Sequence, residues 1–255
     1  MNEILFLGTG AADWDIENDG GFFRRNSAAL INGELMVDCG SQIFDFAQSI
    51  NNENLYDGVT DIIITHNHGD HFNRDSLLKL AENKKIRVGC DGEVKEVIGN
   101  HPNIEFTVFT PFKAEMLGKY EIIPLMANHR TVIEGDSCAF HYVIKAPDGK
   151  KLFYGLDGAW FLASSWREMK NHKFDVMIFD CTVGDSNDWR LFEHNTIPML
   201  RMMIEGVKMA NMLADGGILV ASHLARTLHV SHEETAKILE EIDTITAFDG
   251  MKLEF

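Results

Sequence analysis

The chain of 255 residues sets 39 acidic against 23 basic side chains, a formal charge of −16 at pH 7, with 45% hydrophobic and 24% charged residues. That composition belongs to an ordinary folded protein long enough for one large core. It excludes a bilayer span, since no apolar run approaches the ~20 residues one needs, and an acidic surface without a block of Lys and Arg argues against a large RNA or DNA partner.

Ile4-Leu5-Phe6-Leu7 runs into Gly8-Thr9-Gly10. With no basic region or cleavage site ahead of it, this reads as a strand and a glycine turn, not a signal peptide. Asp13 to Arg25 is expected to be an irregular loop at the rim of a site. There Arg24 and Arg25 are candidates for contact with a phosphate, against the plainer role of supporting the loop. Ala28 to Ile31 and Leu35 to Val37 read as a strand pair turned at Asn32-Gly33. Asp38 follows, either as a strand cap or facing the loop described next. The four cysteines, Cys39, Cys90, Cys138 and Cys181, are widely spaced and form no CxxC pair, as expected of reduced thiols in a cytoplasmic protein.

Ile62-Ile63-Ile64 is a β-branched run that reads as a buried strand. Directly after it stands His66-Asn67-His68-Gly69-Asp70-His71. In an extended chain His66 and His68 point to one side, and Gly69 lets the chain turn so that Asp70 and His71 aim at a second point nearby. Imidazole and carboxylate donors suit zinc, manganese or iron. One metal needs only part of this set; four donors in six residues suggest two metals side by side.

Asp75 to Lys84 is expected as an amphipathic helix with Leu77, Leu78, Leu80 and Ala81 inward. Short strands and a helix follow through Val88, Val94 to Ile98 and Phe106 to Phe109. Three apolar strands then end in polar residues: Ile122 to His129, Leu152 to Asp157 before Gly158, and Val176 to Asp180-Cys181-Thr182. His194 precedes a helix with Pro198 near its first turn and Leu200, Met203, Ile204, Val207, Ala210 and Met212 at helical spacing. Gly216 lies beyond that helix. Ile218 to His223 reads as the last strand, Ser231-x-x-Glu234 as a capping box, and Ala247 to Leu253 as a terminal hairpin. His101, His141, His172, His229 and His232 receive no role, although His229 is close to His223. Strands that repeatedly end in potential ligands place those ligands along one edge of a layered sheet structure.

His66-x-His68-x-Asp70-His71 resembles the metal motif of the metallo-β-lactamase superfamily. The resemblance implies an α/β fold, a four-layer αββα sandwich, as one domain over residues 1–255 with its metals at one edge. Within that superfamily the chain is most similar to the phosphoribosyl cyclic phosphodiesterase of the carbon–phosphorus lyase pathway. The likeness runs through the first strand and glycine turn, the metal motif, Asn128-His129, Met177 to Thr182, His194 and Phe248-Asp249-Gly250-Met251. Carried over residue by residue, it implies one divalent ion, zinc or manganese, on His66, His68 and His129. A second would sit on Asp70, His71 and His223, with Asp157 bridging the two. Two carboxylates contribute −2 and two divalent ions +4, so the pocket would attract anions within an acidic protein.

The activity implied is hydrolysis of a small phosphodiester, cyclic or linear, by a hydroxide generated between the two ions. His194 would be the general acid, or a donor to the phosphoryl oxygen, with Asp180 orienting its imidazole. The resemblance also suggests a homodimer. Transfer RNA 3′-processing nucleases are similar in metal set and in the Asp180, Thr182, His194 pattern, but the basic or glycine-rich arm they carry is missing here. Ala11 to Arg25 lacks the cysteines that hold a structural zinc in the phosphodiesterase family, and Arg130 to Ala139 also differs. Both differences bear on substrate choice. The competing readings are a hydrolase of a lactone, thioester or lactam, a non-catalytic metal-dependent sensor, and di-iron reduction of oxygen or nitric oxide. Proteins of the last kind tend to place Glu where His68 stands.

Overall fold

Side chains alternate faces along a strand, and here nearly every strand is apolar on both faces. In β1 (Glu3–Gly8) Ile4 and Phe6 enter one apolar cluster while Leu5 and Leu7 enter another. In β11 (Phe174–Asp180) Val176 and Ile178 join Ile4 and Phe6, whereas Met177 and Phe179 enter a third. A sheet buried on both faces needs a layer on each side. The computed structural model, which describes residues 1–14, 23–130 and 139–255, supplies those layers.

One seven-stranded sheet runs β14 (Lys252–Glu254), β1, β2 (Ala28–Ile31), β3 (Leu35–Val37), β4 (Asp61–Ile63), β5 (Ile86–Cys90), β6 (Ile104–Val108). The other runs β13 (Thr244–Thr246), β12 (Leu213–Ser222), β11, β10 (Lys151–Gly155), β9 (Phe140–Lys145), β8 (Tyr120–Met126), β7 (Glu115–Leu117). Ile63, Ile122, Tyr142, Tyr154 and Val220 fill the space between the sheets. Helices α1 (Ile43–Ser49), α2 (Arg74–Leu80) and α3 (Gly92–Ile98) cover the outer face of the first sheet. Helices α4 (Ala163–Met169), α5 (Ile197–Met209) and α6 (His232–Glu240) cover the second. The layer order is αββα.

Strands β10, β11 and β12 are parallel, so their C-terminal ends lie together. Two bonds close the same edge across the sandwich: the Tyr142 hydroxyl donates to the Ile64 carbonyl at 2.5 Å, and the Phe140 amide donates to the Thr65 carbonyl at 3.0 Å. The hairpin at Asn32-Gly33 forms with positive φ at both residues, +53° and +69°, as a tight turn between twisted strands demands. The Ser231–Glu234 capping box opens α6.

Three expectations need correction. The helix expected over Asp75 to Lys84 is the shorter α2, because the Asn103 side-chain amide takes the carbonyls of Ala81 and Glu82 and turns the chain. Gly216 sits inside β12, which begins at Leu213, and β12 is not the last strand. The terminal hairpin is absent as well: β13 adds in parallel to β12, whereas β14 pairs antiparallel with β1 in the opposite sheet. Between them Ala247 and Met251 cross the inter-sheet core, and the Gly250 amide donates to the Phe6 carbonyl at 2.8 Å. Among the described residues no helix is long and apolar enough to cross a membrane.

Candidate metal centre

Seven side chains from four places in the sequence meet at this edge. His66, His68, Asp70 and His71 follow β4; His129 follows β8, Asp157 follows β10 and His223 follows β12. They fall into two donor groups, His66, His68, His129, Asp157 and Asp70, His71, Asp157, His223, each with donor atoms within 4.8 Å of one another. Asp157 belongs to both. Its Oδ2 lies 3.2 Å from His66 Nε2 and 3.1 Å from His71 Nε2, and its Oδ1 lies 2.9 Å from His223 Nε2. Asp157 and His223 adopt left-handed backbone conformations, φ +56° and +60°, as does Asp38 at +62°. Non-glycine residues rarely sit there, and such strain gathers at functional sites.

Each imidazole is oriented from behind. His71 Nδ1 donates to Asp38 Oδ2 at 2.7 Å, and His66 Nδ1 contacts the Thr65 hydroxyl at 3.0 Å. That hydroxyl is 2.9 Å from Asp38 Oδ1. His223 Nδ1 meets the Thr182 hydroxyl at 2.7 Å, and this hydroxyl donates to Asp180 Oδ2 at 2.8 Å. Anchoring Nδ1–H leaves the Nε2 lone pair of His66, His71 and His223 facing the centre. Behind Asp157 stands the buried His141, whose Nε2 is 3.3 Å from the Asp157 carbonyl. Gly158 leaves room for that ring; a Cβ there would stand 2.7 Å from His141 Nε2.

Several atoms make no sense as purely structural groups. Among the described residues the buried His66 Nε2 and Asp157 Oδ1 have close neighbours but no hydrogen-bond partner of sound geometry. His71 Nε2 and His223 Nε2 point at each other at 3.1 Å, as do His129 Nε2 and His68 Nδ1. Burial pushes His68 down to about 4 and His129 down to about 3, so both imidazoles are neutral at pH 7. Burial disfavours charge on His71 and His223 too, but the surrounding carboxylates, Asp157 foremost, together outweigh it and lift both well above the ordinary imidazole value. The centre therefore attracts positive charge, and imidazole with carboxylate is the donor set of a divalent ion. The residues fit a divalent metal centre.

His194 stands beside this centre. Its Nδ1 is 3.0 Å from Asp180 Oδ2 and 3.7 Å from Asp157 Oδ1. Burial opposes charge on its ring, but Asp180 overrides that and raises its pKa. Asp180 itself is fully buried, and His194 holds its carboxyl well below the usual range despite that burial. Both Asp180 oxygens are fully engaged, Oδ1 by the Asn195 amide at 2.8 Å and the Thr182 amide at 3.1 Å, and Oδ2 also by the Asp157 amide at 3.3 Å.

The residues that sequence reading did not single out are Thr65, His141 and Asn195. All act through others, and none follows a spacing rule. Arg24 and Arg25 are not at the centre. Arg24 is buried and donates to the Thr9 hydroxyl and the Ala247 carbonyl, while Arg25 pairs with Asp45 and Asp249. His229 turns away, its Nε2 2.6 Å from the Cys181 carbonyl. Most of the expected rim loop from Asp13 to Arg25, and the segment from Arg130 to Ala139, lie outside the described residues.

A family model described as a beta-lactamase superfamily domain matches residues 34–247. In sequence the chain is 30% identical over 136 residues to UPF0173 protein YddR of Bacillus subtilis (strain 168). That match covers 49% of each, so the chain spans about half the length of the curated relative it matches. In structure it is similar to the metallo-beta-lactamase fold protein YhfI from Bacillus subtilis, with TM-score 0.75 and 15% identity, covering 100% of this chain and 99% of the other. It is also similar to a diphosphatase from the PhnP family, with TM-score 0.72 and 16% identity, covering 100% and 98%. These likenesses extend over the whole αββα sandwich.

Proposed function

This chain belongs to the beta-lactamase superfamily, and from that premise we propose that it is a metal-dependent hydrolase of small phosphodiesters. The observation that carries the reading is the pair of donor groups sharing Asp157, with His194 outside both and backed by Asp180. The likeness to a PhnP-family diphosphatase supports phosphoryl chemistry at such a centre.

His66, His68, His129 and Asp157 would hold one zinc or manganese ion, and Asp70, His71, His223 and Asp157 the other. When bound, a pair of divalent ions neutralises phosphoryl oxygens and lowers the pKa of water towards ~7. The chain supplies the rest. Asp38 and Thr65 from one sheet, and Thr182 from the other, keep the imidazoles in the tautomer that leaves Nε2 free. Asp180 accepts the Nδ1 proton of His194 and stabilises its imidazolium, which leaves the opposite nitrogen, Nε2, to protonate the leaving ester oxygen as the P–O bond breaks. Asp70 is a donor to the second ion and carries no proton in this scheme. The centre sits in a half-open cleft with about 210 Å³ of room for water-sized molecules, small beside typical ligand clefts of roughly 300–1,000 Å³. It suits the phosphoryl group and its nearest substituents rather than a polymer.

The test is a panel of cyclic and linear small phosphodiesters, with a lactone, a thioester and a lactam beside them, on zinc- and manganese-loaded protein and on His68→Ala. Diester turnover that disappears in the variant supports the reading. Two bound ions with turnover only on the carboxylic substrates would replace it with the lactone, thioester and lactam branch.

A further inference from the structure

Between Thr182 and His194 the chain makes a short projecting lip. Its tip is a 3₁₀ turn, Trp189–Phe192, capped by the Asp188 side chain, which accepts from the Arg190 amide at 2.9 Å. The Arg190 guanidinium doubles back onto the same carboxylate, Nε to Oδ1 at 2.7 Å and Nη2 to Oδ2 at 3.1 Å. The Arg190 carbonyl then accepts the His194 amide at 2.8 Å. The lip is thus fixed at its tip and joined to the residue proposed as the acid.

Trp189 and Arg190 both line the mouth of the cleft beside His194 and His223. Trp189 is 71% exposed, and its indole makes no ring contact or hydrogen bond with any described residue. An exposed indole at the mouth of the cleft is placed to stack on a ring that enters with a substrate. The lip forms one side of the cleft, facing Ala11, Ala12 and Asp13 across it, so a substituent on a bound phosphoryl group can reach Trp189. A flat indole favours a flat aromatic partner, and Arg190, held on the Asp188 carboxylate, stiffens the turn that carries it. Phe192 is exposed to a similar degree, 74%, but does not line the cleft.

We propose that Trp189, with Arg190 beside it, is the specificity-determining platform of the site and selects phosphodiesters that carry a flat aromatic ring, stacked on the indole. This rests on the reading of the centre as a phosphodiesterase. Trp189 acts on substrate binding, not on the breaking bond, so its effect falls on affinity and KM and spares kcat for a ringless diester.

The experiment is calorimetric binding of adenosine 5′-monophosphate and ribose 5-phosphate to the zinc-loaded full chain. The two differ by the ring. Wild type should bind the ring-bearing probe about 5- to 150-fold more tightly, the range of one base–aromatic stack. Trp189→Ala should erase that difference and leave ribose 5-phosphate unchanged, Trp189→Phe should keep most of it, and Phe192→Ala all of it. Equal binding of the two probes by wild type, binding of neither, or an equal loss for both in Trp189→Ala would overturn the proposal. So would a loss in Phe192→Ala as large as in Trp189→Ala, which would mark a general apolar patch. A ring preference without hydrolysis of any diester would leave the platform standing and remove the phosphodiesterase reading; diester hydrolysis without a ring preference would do the reverse.

Discussion

Asp180→Asn changes one oxygen to an amide group in the most heavily bonded carboxylate of the site. Oδ1 takes two backbone amides, from Asn195 and Thr182; Oδ2 takes the Thr182 hydroxyl, the Asp157 amide and His194 Nδ1. With the new NH₂ at the Oδ1 position, two backbone N–H groups face a donor. At the Oδ2 position it opposes the Asp157 amide, and the Thr182 hydroxyl must reverse, which turns a proton onto the wrong nitrogen of His223. Every orientation leaves at least one buried donor unpaired, at about 1–3 kcal/mol. Urea unfolding of metal-free protein should show that loss. Because Asp180 acts behind both His223 and His194, metal affinity or turnover should fall a further ~10–100-fold. Turnover and metal content within threefold of wild type would refute its role behind the imidazoles, and unchanged unfolding would refute the hydrogen-bond count itself.

His194→Ala should keep both ions by elemental analysis while turnover falls ~10²–10⁴-fold, and unchanged turnover would remove it as the acid. Gly158→Ala pushes a methyl group against His141 and thereby moves Asp157. It should destabilise by about 1–3 kcal/mol and weaken zinc binding in a competition titration, whereas unaltered zinc affinity would show that the Asp157 loop is not held from behind. Burial, reinforced by Arg24, lowers the pKa of His229 below the usual imidazole value. As pH falls through ~6.5 the unfolded chain gains a proton there that the folded one refuses, so stability drops by up to about 1.4 kcal/mol per pH unit until the folded pKa is passed. His229→Gln should flatten that part of the pH–stability curve, and a curve parallel to wild type would place the effect elsewhere. Chelation should lower the melting temperature and zinc restore it, by about 4 kcal/mol per ion at a free concentration ~1,000 times Kd; a melting point indifferent to chelator would deny the centre its ions.

The donor run after Ile62-Ile63-Ile64 was legible because its four side chains are neighbours in sequence. The residues alone marked His129, Asp157 and His223 as polar ends of apolar strands, the family resemblance assigned them as ligands, and the shared edge of β8, β10 and β12 is what gathers them. Thr65 was not identifiable as an anchor, and Thr182 was marked only as part of the Asp180, Thr182, His194 pattern: a hydroxyl behind an imidazole has no periodicity of its own. His141 lies between Phe140 and Tyr142 in β9 and reads as any strand residue. Trp189 sits in a stretch with no helical or strand period, and only the fold shows that this stretch borders the cleft. The fate of the last two strands was equally hidden: Ala247 to Leu253 reads as one hairpin, whereas Thr244–Thr246 and Lys252–Glu254 at either end of it join opposite sheets.

The donors are divided between the two sheets, with His66, His68, Asp70 and His71 on one and His129, Asp157 and His223 on the other. Neither half of the sandwich contains a whole site. The first four are neighbours in sequence and complete once the chain passes residue 71, whereas the shared carboxylate lies 86 residues further on. Synthesis runs from the N-terminus, so these four donors are made before the second sheet that would close the site can dock. A chain that stalls between the two would hold ions loosely and irregularly. Correct loading thus becomes a report on whether the two halves have come together, and chelator-resistant metal would measure finished folding.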